Sequence, residues 1–91
     1  MPYIQQDERK RYDKDIINLV ENLVDHRRGE ASVGEVNYVI SSIIWELFEC
    51  RKSYTTANNL MGVLECVKQE FYRRQVAPYE DKKIKENGDI G

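Results

Sequence analysis

The stretch from Ser32 to Cys50, SVGEVNYVISSIIWELFEC, decides the fold of the chain. Ser32 and Glu35 form a Ser-x-x-Glu capping box, in which each side chain can bond the other residue's backbone N–H at a helix start. The stretch therefore predicts a helix over residues 33–50, with apolar residues at helical spacing over about half of its circumference. These apolar residues are Val36, Val39, Ile40, Ile43, Ile44, Leu47, Phe48 and Cys50.

The opposite side of this helix carries an aromatic pair. Tyr38 and Trp45 stand seven residues apart among Ser41, Ser42 and glutamates. An apolar main face with aromatic side chains behind it indicates a central helix touched on two sides, or one whose rear face meets another chain. We therefore take Tyr38 and Trp45 as candidate interaction residues.

The residues before this helix predict another one over residues 5–28. Their apolar positions, from Tyr12 to Val24, repeat at helical rather than alternating spacing. Gly29 follows Arg27 and Arg28, and a glycine after terminal cations is the usual chemistry of a helix stop.

The residues after Cys50 predict a third helix over 56–76, because Ser53, Thr55 and Thr56 offer N-cap hydroxyls. Gly62 lies opposite its apolar face, where a glycine costs stability unless it permits close approach of a neighbour. Pro78 predicts that this helix ends near Val76 and that a short fourth helix covers 78–87, with a frayed tail at 88–91.

The segments together predict a single all-α domain over residues 1–91. Short loops join them, and no strand-like alternation or repeat is present. The economical fold is a three-helix bundle with a short C-terminal fourth helix after Pro78, in which the apolar stripes bury one another.

The composition limits the kinds of protein that this chain can be. The chain has 91 residues, a net charge of −2, 41% hydrophobic residues and 33% charged residues. These values indicate a folded soluble protein without a general attraction for phosphate or anionic lipid. The charged N-terminal stretch predicts neither a secretory signal nor a membrane anchor, so we expect a cytoplasmic protein. Cys50 and Cys66 are expected to act as small hydrophobes.

Catalytic chemistry has little support in the sequence. His26 falls in the predicted last turn of the first helix, where an imidazole more often meets terminal carbonyls. Glu46 and Glu49 stand three apart and could share a divalent cation, as acidic pairs do in all-helical nucleotide pyrophosphohydrolases. The matching second pair would be Glu86 and Asp89, but the glycine between them would stop the helix. We therefore predict no catalytic residue, metal or cofactor, and keep a metal-dependent nucleotide hydrolase as the remotest alternative.

Basic residues near the C-terminus form another candidate surface. Arg73 and Arg74, followed by Tyr79, Lys82 and Lys83, combine cations with an aromatic ring. Such a surface suits phosphates and stacked bases, but acids flank each cluster and no recognition helix is evident. A nucleic acid is therefore the less favoured partner, and the segment is expected to fold back through ion pairs or to dock on a protein.

Three stretches carry a family resemblance: FYRRQVAPYEDKKIKENGD at 71–89, GEVNYVIS at 34–41 and NNLMGVLECVKQE at 58–70. The chain resembles a family of small uncharacterised proteins, a domain of unknown function, from bacteria, archaea and tailed phages. The resemblance implies an intracellular, phage-related protein and brings no catalytic residues. The resulting hypothesis is a non-enzymatic interaction or assembly module, homo-oligomeric or bound to another protein, that uses Tyr38, Trp45 and Gly62.

Overall fold

The computed structural model describes residues 3–91 and contains two compact units, Met1–Arg51 and Lys52–Gly91. Helices dominate both units, which confirms the predicted all-α class. The first unit comprises a 3₁₀ turn at Gln6–Arg9, helix α1 at Lys10–Leu23, strands β1 at Val24–Asp25 and β2 at Glu30–Ala31, and helix α2 at Val33–Cys50. The second comprises helix α3 at Tyr54–Phe71, a π-helical turn at Tyr72–Val76 and helix α4 at Ala77–Asn87.

The first helix is shorter than predicted, because the chain leaves helical geometry at Val24 and forms a hairpin. The Asp25 carboxylate accepts a hydrogen bond from the backbone N–H of Arg27 at 2.9 Å, a local bond that competes with the helix. The backbone carbonyl of Asp25 accepts from Arg28 and Gly29, and Gly29 has φ +71°. Gly29 therefore does adopt the left-handed conformation, but in a turn between antiparallel strands, where Asp25 pairs with Glu30.

The second helix has the predicted bounds. Ser32 is extended, and its hydroxyl accepts a hydrogen bond from the backbone N–H of Glu35 at 3.2 Å, which is one of the two bonds of the predicted capping box. The third helix begins two residues earlier than predicted. Of the three candidate caps, Ser53 accepts from the backbone N–H of Thr56 at 3.0 Å.

Pro78 does not separate a fourth helix, and this prediction is not confirmed. Helical geometry continues from Tyr54 to Asn87, and the backbone N–H of Ala77 donates to the carbonyl of Tyr72, an i to i+5 bond. A π-helical turn rearranges the bonding just where the proline ring would meet the preceding turn, so α4 continues α3. The predicted stop at the other end is confirmed, since Gly88 has φ +88° and donates to the carbonyl of Ile84.

The predicted burial of the apolar stripes is not observed. Among residues 3–91 no side chain is buried, and the bundle arrangement is not confirmed. The helical periodicity places apolar residues on common faces, but each face remains largely in contact with solvent. The exposed large side chains on α1 and α2 include Tyr12, Ile16, Ile17, Val20, Val33, Ile40, Ile43 and Leu47.

Candidate interaction site

An apolar stripe runs along α2 and is exposed at every position except Val36, which is half-buried. Its members, which we call the α2 stripe, alternate in spacing between three and four residues, the spacing that lets a helix pack along another helix. At its centre Ile40 is 47% exposed and Ile43 is 49% exposed, and Leu47 is 49% exposed. The stripe is therefore a continuous apolar surface. Its members are Val33, Val36, Ile40, Ile43, Leu47 and Cys50.

Tyr38 lies on a different side of α2, next to α1. It lines a shallow groove of about 360 Å³ together with Leu19, Leu23 and Val39, where the end of α1 and the start of α2 come together. Helical spacing separates Tyr38 from the α2 stripe by more than a quarter of the circumference. Within the first unit, α1 therefore approaches the side of α2 that carries Tyr38 rather than the α2 stripe.

Trp45 stands two helical turns beyond Tyr38 on that same side. Trp45 is 69% exposed and Tyr38 is 73% exposed. Both side chains are available for contact with another molecule, and the sequence-based prediction that they take part in one stays a prediction. Because Trp45 is the only tryptophan of the chain, its fluorescence reports on this side alone.

Gly62 lies in α3 with open space around it. A Cβ atom built there would meet no described atom within 4 Å outside its local backbone. No element of the second unit therefore makes the close approach that the glycine was predicted to permit.

Two of the predicted basic residues are engaged within their own helical segment. The Arg73 guanidinium donates to both carboxylate oxygens of Glu70, at 3.1 and 3.0 Å. Lys83 pairs with Glu86 at 3.3 Å and lies 5.5 Å from the ring centre of Tyr79. Arg74 and Lys82 are exposed. The segment does not fold back, because it continues the helix, and its charges are partly neutralised along that helix.

A tie across the π-helical turn was missed by the sequence analysis. The Tyr72 hydroxyl donates to a carboxylate oxygen of Glu80 at 2.6 Å. In an ordinary α-helix residues seven apart share a face, and the wider π turn brings residues eight apart into line. The sequence does contain a tyrosine and a glutamate on either side of Pro78, eight residues apart. The sequence analysis considered only the proline and predicted a break in the helix.

We predict that the hydroxyl of Tyr72 ionises above the usual pKa of a tyrosine. Its hydrogen bond to Glu80, the negative charge of that carboxylate, and to a smaller extent desolvation and Asp81, raise the pKa of Tyr72 above the usual 10.0. The raised pKa means that this contribution to stability is complete below pH 10 and is lost as the pH rises through the folded-state pKa.

An ultraviolet titration of the folded protein measures this. Tyr72→Phe should remove the component that ionises above the usual tyrosine pKa, whereas Tyr79→Phe, a control on the same segment, should leave it. Loss of this component from the Tyr79 variant, or its persistence in the Tyr72 variant, would contradict the assignment.

The candidate metal and redox residues do not come together. Among residues 3–91 no three His, Cys, Asp or Glu side chains are placed to hold a metal ion, so Glu46 and Glu49 have no third ligand. His26 lies in the turn of the hairpin rather than in a helix. Cys50 and Cys66 are free thiols and both are exposed, which differs from the small-hydrophobe interpretation.

The molecule so described is a small helical protein with exposed apolar residues on its helices. A family model described as Domain of unknown function (DUF6899) matches residues 1–90, and the chain belongs to this family. Comparison with curated proteins and with solved structures finds no match. Within the described part of the chain, no helix is both long and apolar enough to cross a membrane.

Proposed function

We propose that this protein is a helical assembly module whose apolar faces are covered by a second copy of the same chain. One observation carries the proposal: the first unit bears an α2 stripe about half exposed at its centre, and no described residue of that unit is buried. Solvent contact of such a continuous apolar surface is unfavourable, and surfaces of this kind are typical of interfaces.

The size of the units supports the same conclusion. They contain about 50 and 40 residues, a range in which a chain often needs a metal, disulfides or oligomerisation to reach adequate stability. Both cysteines are free thiols, and no metal cluster is present in residues 3–91. Oligomerisation is the remaining route that these residues favour.

The energies show how much surface such a dimer needs. Covering the exposed half of an isoleucine or leucine contributes roughly 1 kcal/mol. The α2 stripes of two copies then contribute on the order of 10 kcal/mol, against an association cost of about 4–15 kcal/mol. The stripe alone gives a marginal dimer, so the proposal also assigns a share of the contact to the exposed apolar face of α1, where Ile16 is 55% exposed and Ile17 is 57% exposed.

Light scattering on the full chain, over a hundredfold range of concentration, tests the proposal. We expect a mass at least twice the 10.8 kDa of one chain, with dissociation at the lowest concentrations. Helicity measured by circular dichroism should fall together with the mass, because the free chain has no buried core. A monomer of unchanged helicity at every concentration would overturn the proposal.

The fluorescence of Trp45 supplies a second readout of the same dilution series. If the side of α2 around Tyr38 and Trp45 also enters the contact, the emission shifts to longer wavelength as the oligomer dissociates. If the emission stays constant while the mass changes, assembly uses the α2 stripe and leaves Trp45 in solvent.

A further inference from the structure

We infer that the π-helical turn at Tyr72–Val76 is a hinge between α3 and α4, and that the hydrogen bond between Tyr72 and Glu80 is a latch that holds this hinge in one geometry. The inference concerns the second unit alone, so it does not depend on the proposed assembly. It is carried by the backbone bond that Pro78 removes, by the register of the turn, and by the positions of the side-chain bonds along the segment.

Pro78 makes this place the weak point of a long helix. Proline has no N–H to donate, and in an α-helix its ring would clash with the carbonyl four residues earlier, which is that of Arg74. In the structure the N–H of Ala77 donates to the carbonyl of Tyr72, five residues earlier, so the turn before the proline is one residue wider. An interior proline and a π turn are both causes of sharp bends in helices. The junction of α3 and α4 is therefore where the helix bends most easily.

The latch forms because the π turn brings its two ends into line. In an ideal α-helix, eight residues rotate by about 800°, which places their side chains about 80° apart around the axis. The π turn takes up one extra residue, so Tyr72 and Glu80 lie as residues seven apart normally do, within about 20° of each other. The Tyr72 hydroxyl then reaches a carboxylate oxygen of Glu80 at 2.6 Å. The bond and the π turn therefore support each other.

The other ion pairs described near the turn each stay on one side of Pro78. Arg73 bonds to Glu70 before the proline, and Lys83 bonds to Glu86 after it. Such i,i+3 pairs support the helical arm to which both partners belong, but they do not fix the angle between the two arms. Opening of the latch would therefore leave both arms helical and release the angle between them, which is how a hinge moves.

The exposed position of the latch allows it to open reversibly. Tyr72 and Glu80 are both exposed, so water competes for the bond and its loss uncovers no core. When the latch opens, α4 changes direction as one piece and carries the exposed side chains of Tyr79 and Ile84 with it. The hinge therefore sets the direction in which these side chains project from α3.

Residual dipolar couplings of the backbone N–H groups, measured in a weakly aligned sample of the full chain, report the angle between α3 and α4. In the natural protein we expect both helices to fit a single alignment. Tyr72→Phe, which removes only the donor hydroxyl, should lose this single alignment while the chemical shifts of both helices remain helical. Exchange of the amide hydrogen of Ala77 should quicken roughly twofold to tenfold, the range that the net contribution of one hydrogen bond implies. Tyr79→Phe, the control beside Pro78, should keep the single alignment.

The inference fails if Tyr72→Phe keeps the single alignment of the natural chain, or if Tyr79→Phe loses it as well. It also fails if α4 of the Tyr72 variant is no longer helical, since a hinge needs two intact arms. Pro78→Ala combined with Tyr72→Phe tests the proline separately, because the restored N–H should complete the helical bonding and recover a single alignment without the latch. A double variant as loose as Tyr72→Phe alone would overturn the assignment of the hinge to Pro78.

Discussion

Ile43→Asp is expected to dissociate the assembly and to unfold most of the first unit at micromolar concentration. Ile43 lies at the centre of the α2 stripe and is 49% exposed in the single chain. In the assembled protein an aspartate would be buried in each α2 stripe without a compensating cation, which costs about 3–5 kcal/mol. This amounts to a rise of roughly two to four orders of magnitude in the dissociation constant.

An exposed residue outside the α2 stripe supplies the control for this prediction. Asn59→Asp introduces the same charge at an exposed position of α3. It should change the free energies of unfolding and of association by no more than about 0.5 kcal/mol. The measured mass and helicity should therefore stay unchanged. If α2 were a solvent-facing helix of a monomer, both variants would be equally mild, and that result would contradict the assembly proposal.

The boundaries of the helices follow from local chemistry wherever that chemistry is complete within a few residues. Ser32 with Glu35 defined the start of α2, and Gly88 defined the end of the C-terminal helix, because a capping bond or a left-handed glycine needs no distant partner. The hairpin also depends on local chemistry, but the sequence analysis did not consider the residue that matters. Gly29 was interpreted as a helix stop, although Asp25 had already ended the helix through its bond to Arg27.

Pro78 shows a different limit. A proline forbids one backbone hydrogen bond and crowds the preceding turn, and the sequence does not state whether the helix breaks or rearranges. Here the chain rearranges into a π turn, which the bond between Tyr72 and Glu80 spans. The energy of this rearrangement depends on side chains eight residues apart, a separation that simple helical periodicity does not consider.

The sequence predicted which residues share a face of each helix. It did not predict which molecule contacts those faces. Periodicity identified the apolar side of α2 correctly, because it depends only on residue order. It does not identify the molecule that covers that side, and the assumption that the chain's own helices do so produced the bundle prediction. The sequence identified Tyr38 and Trp45 as candidate interaction residues. The position of Tyr38 next to α1 depends on the hairpin, which the sequence analysis did not predict.

Gly29 and Gly62 provide the second large expected effect, because the same substitution should act in opposite directions at these two glycines. Gly29→Ala should destabilise the protein by about 1–2 kcal/mol, since Gly29 has φ +71° and a Cβ atom is strained in that conformation. Gly62→Ala should stabilise α3 by roughly 0.5–1 kcal/mol, since alanine favours the helix interior and open space surrounds that position.

Thermal unfolding at one fixed protein concentration measures both effects, because the midpoint of an assembling protein depends on concentration. We expect the midpoint of Gly29→Ala to fall by about 4–16 °C and that of Gly62→Ala to rise by several degrees. A neutral Gly29 variant would show that the hairpin turn does not persist in solution. Destabilisation by Gly62→Ala, together with a lower mass, would instead place Gly62 against a second copy and extend the interface to α3.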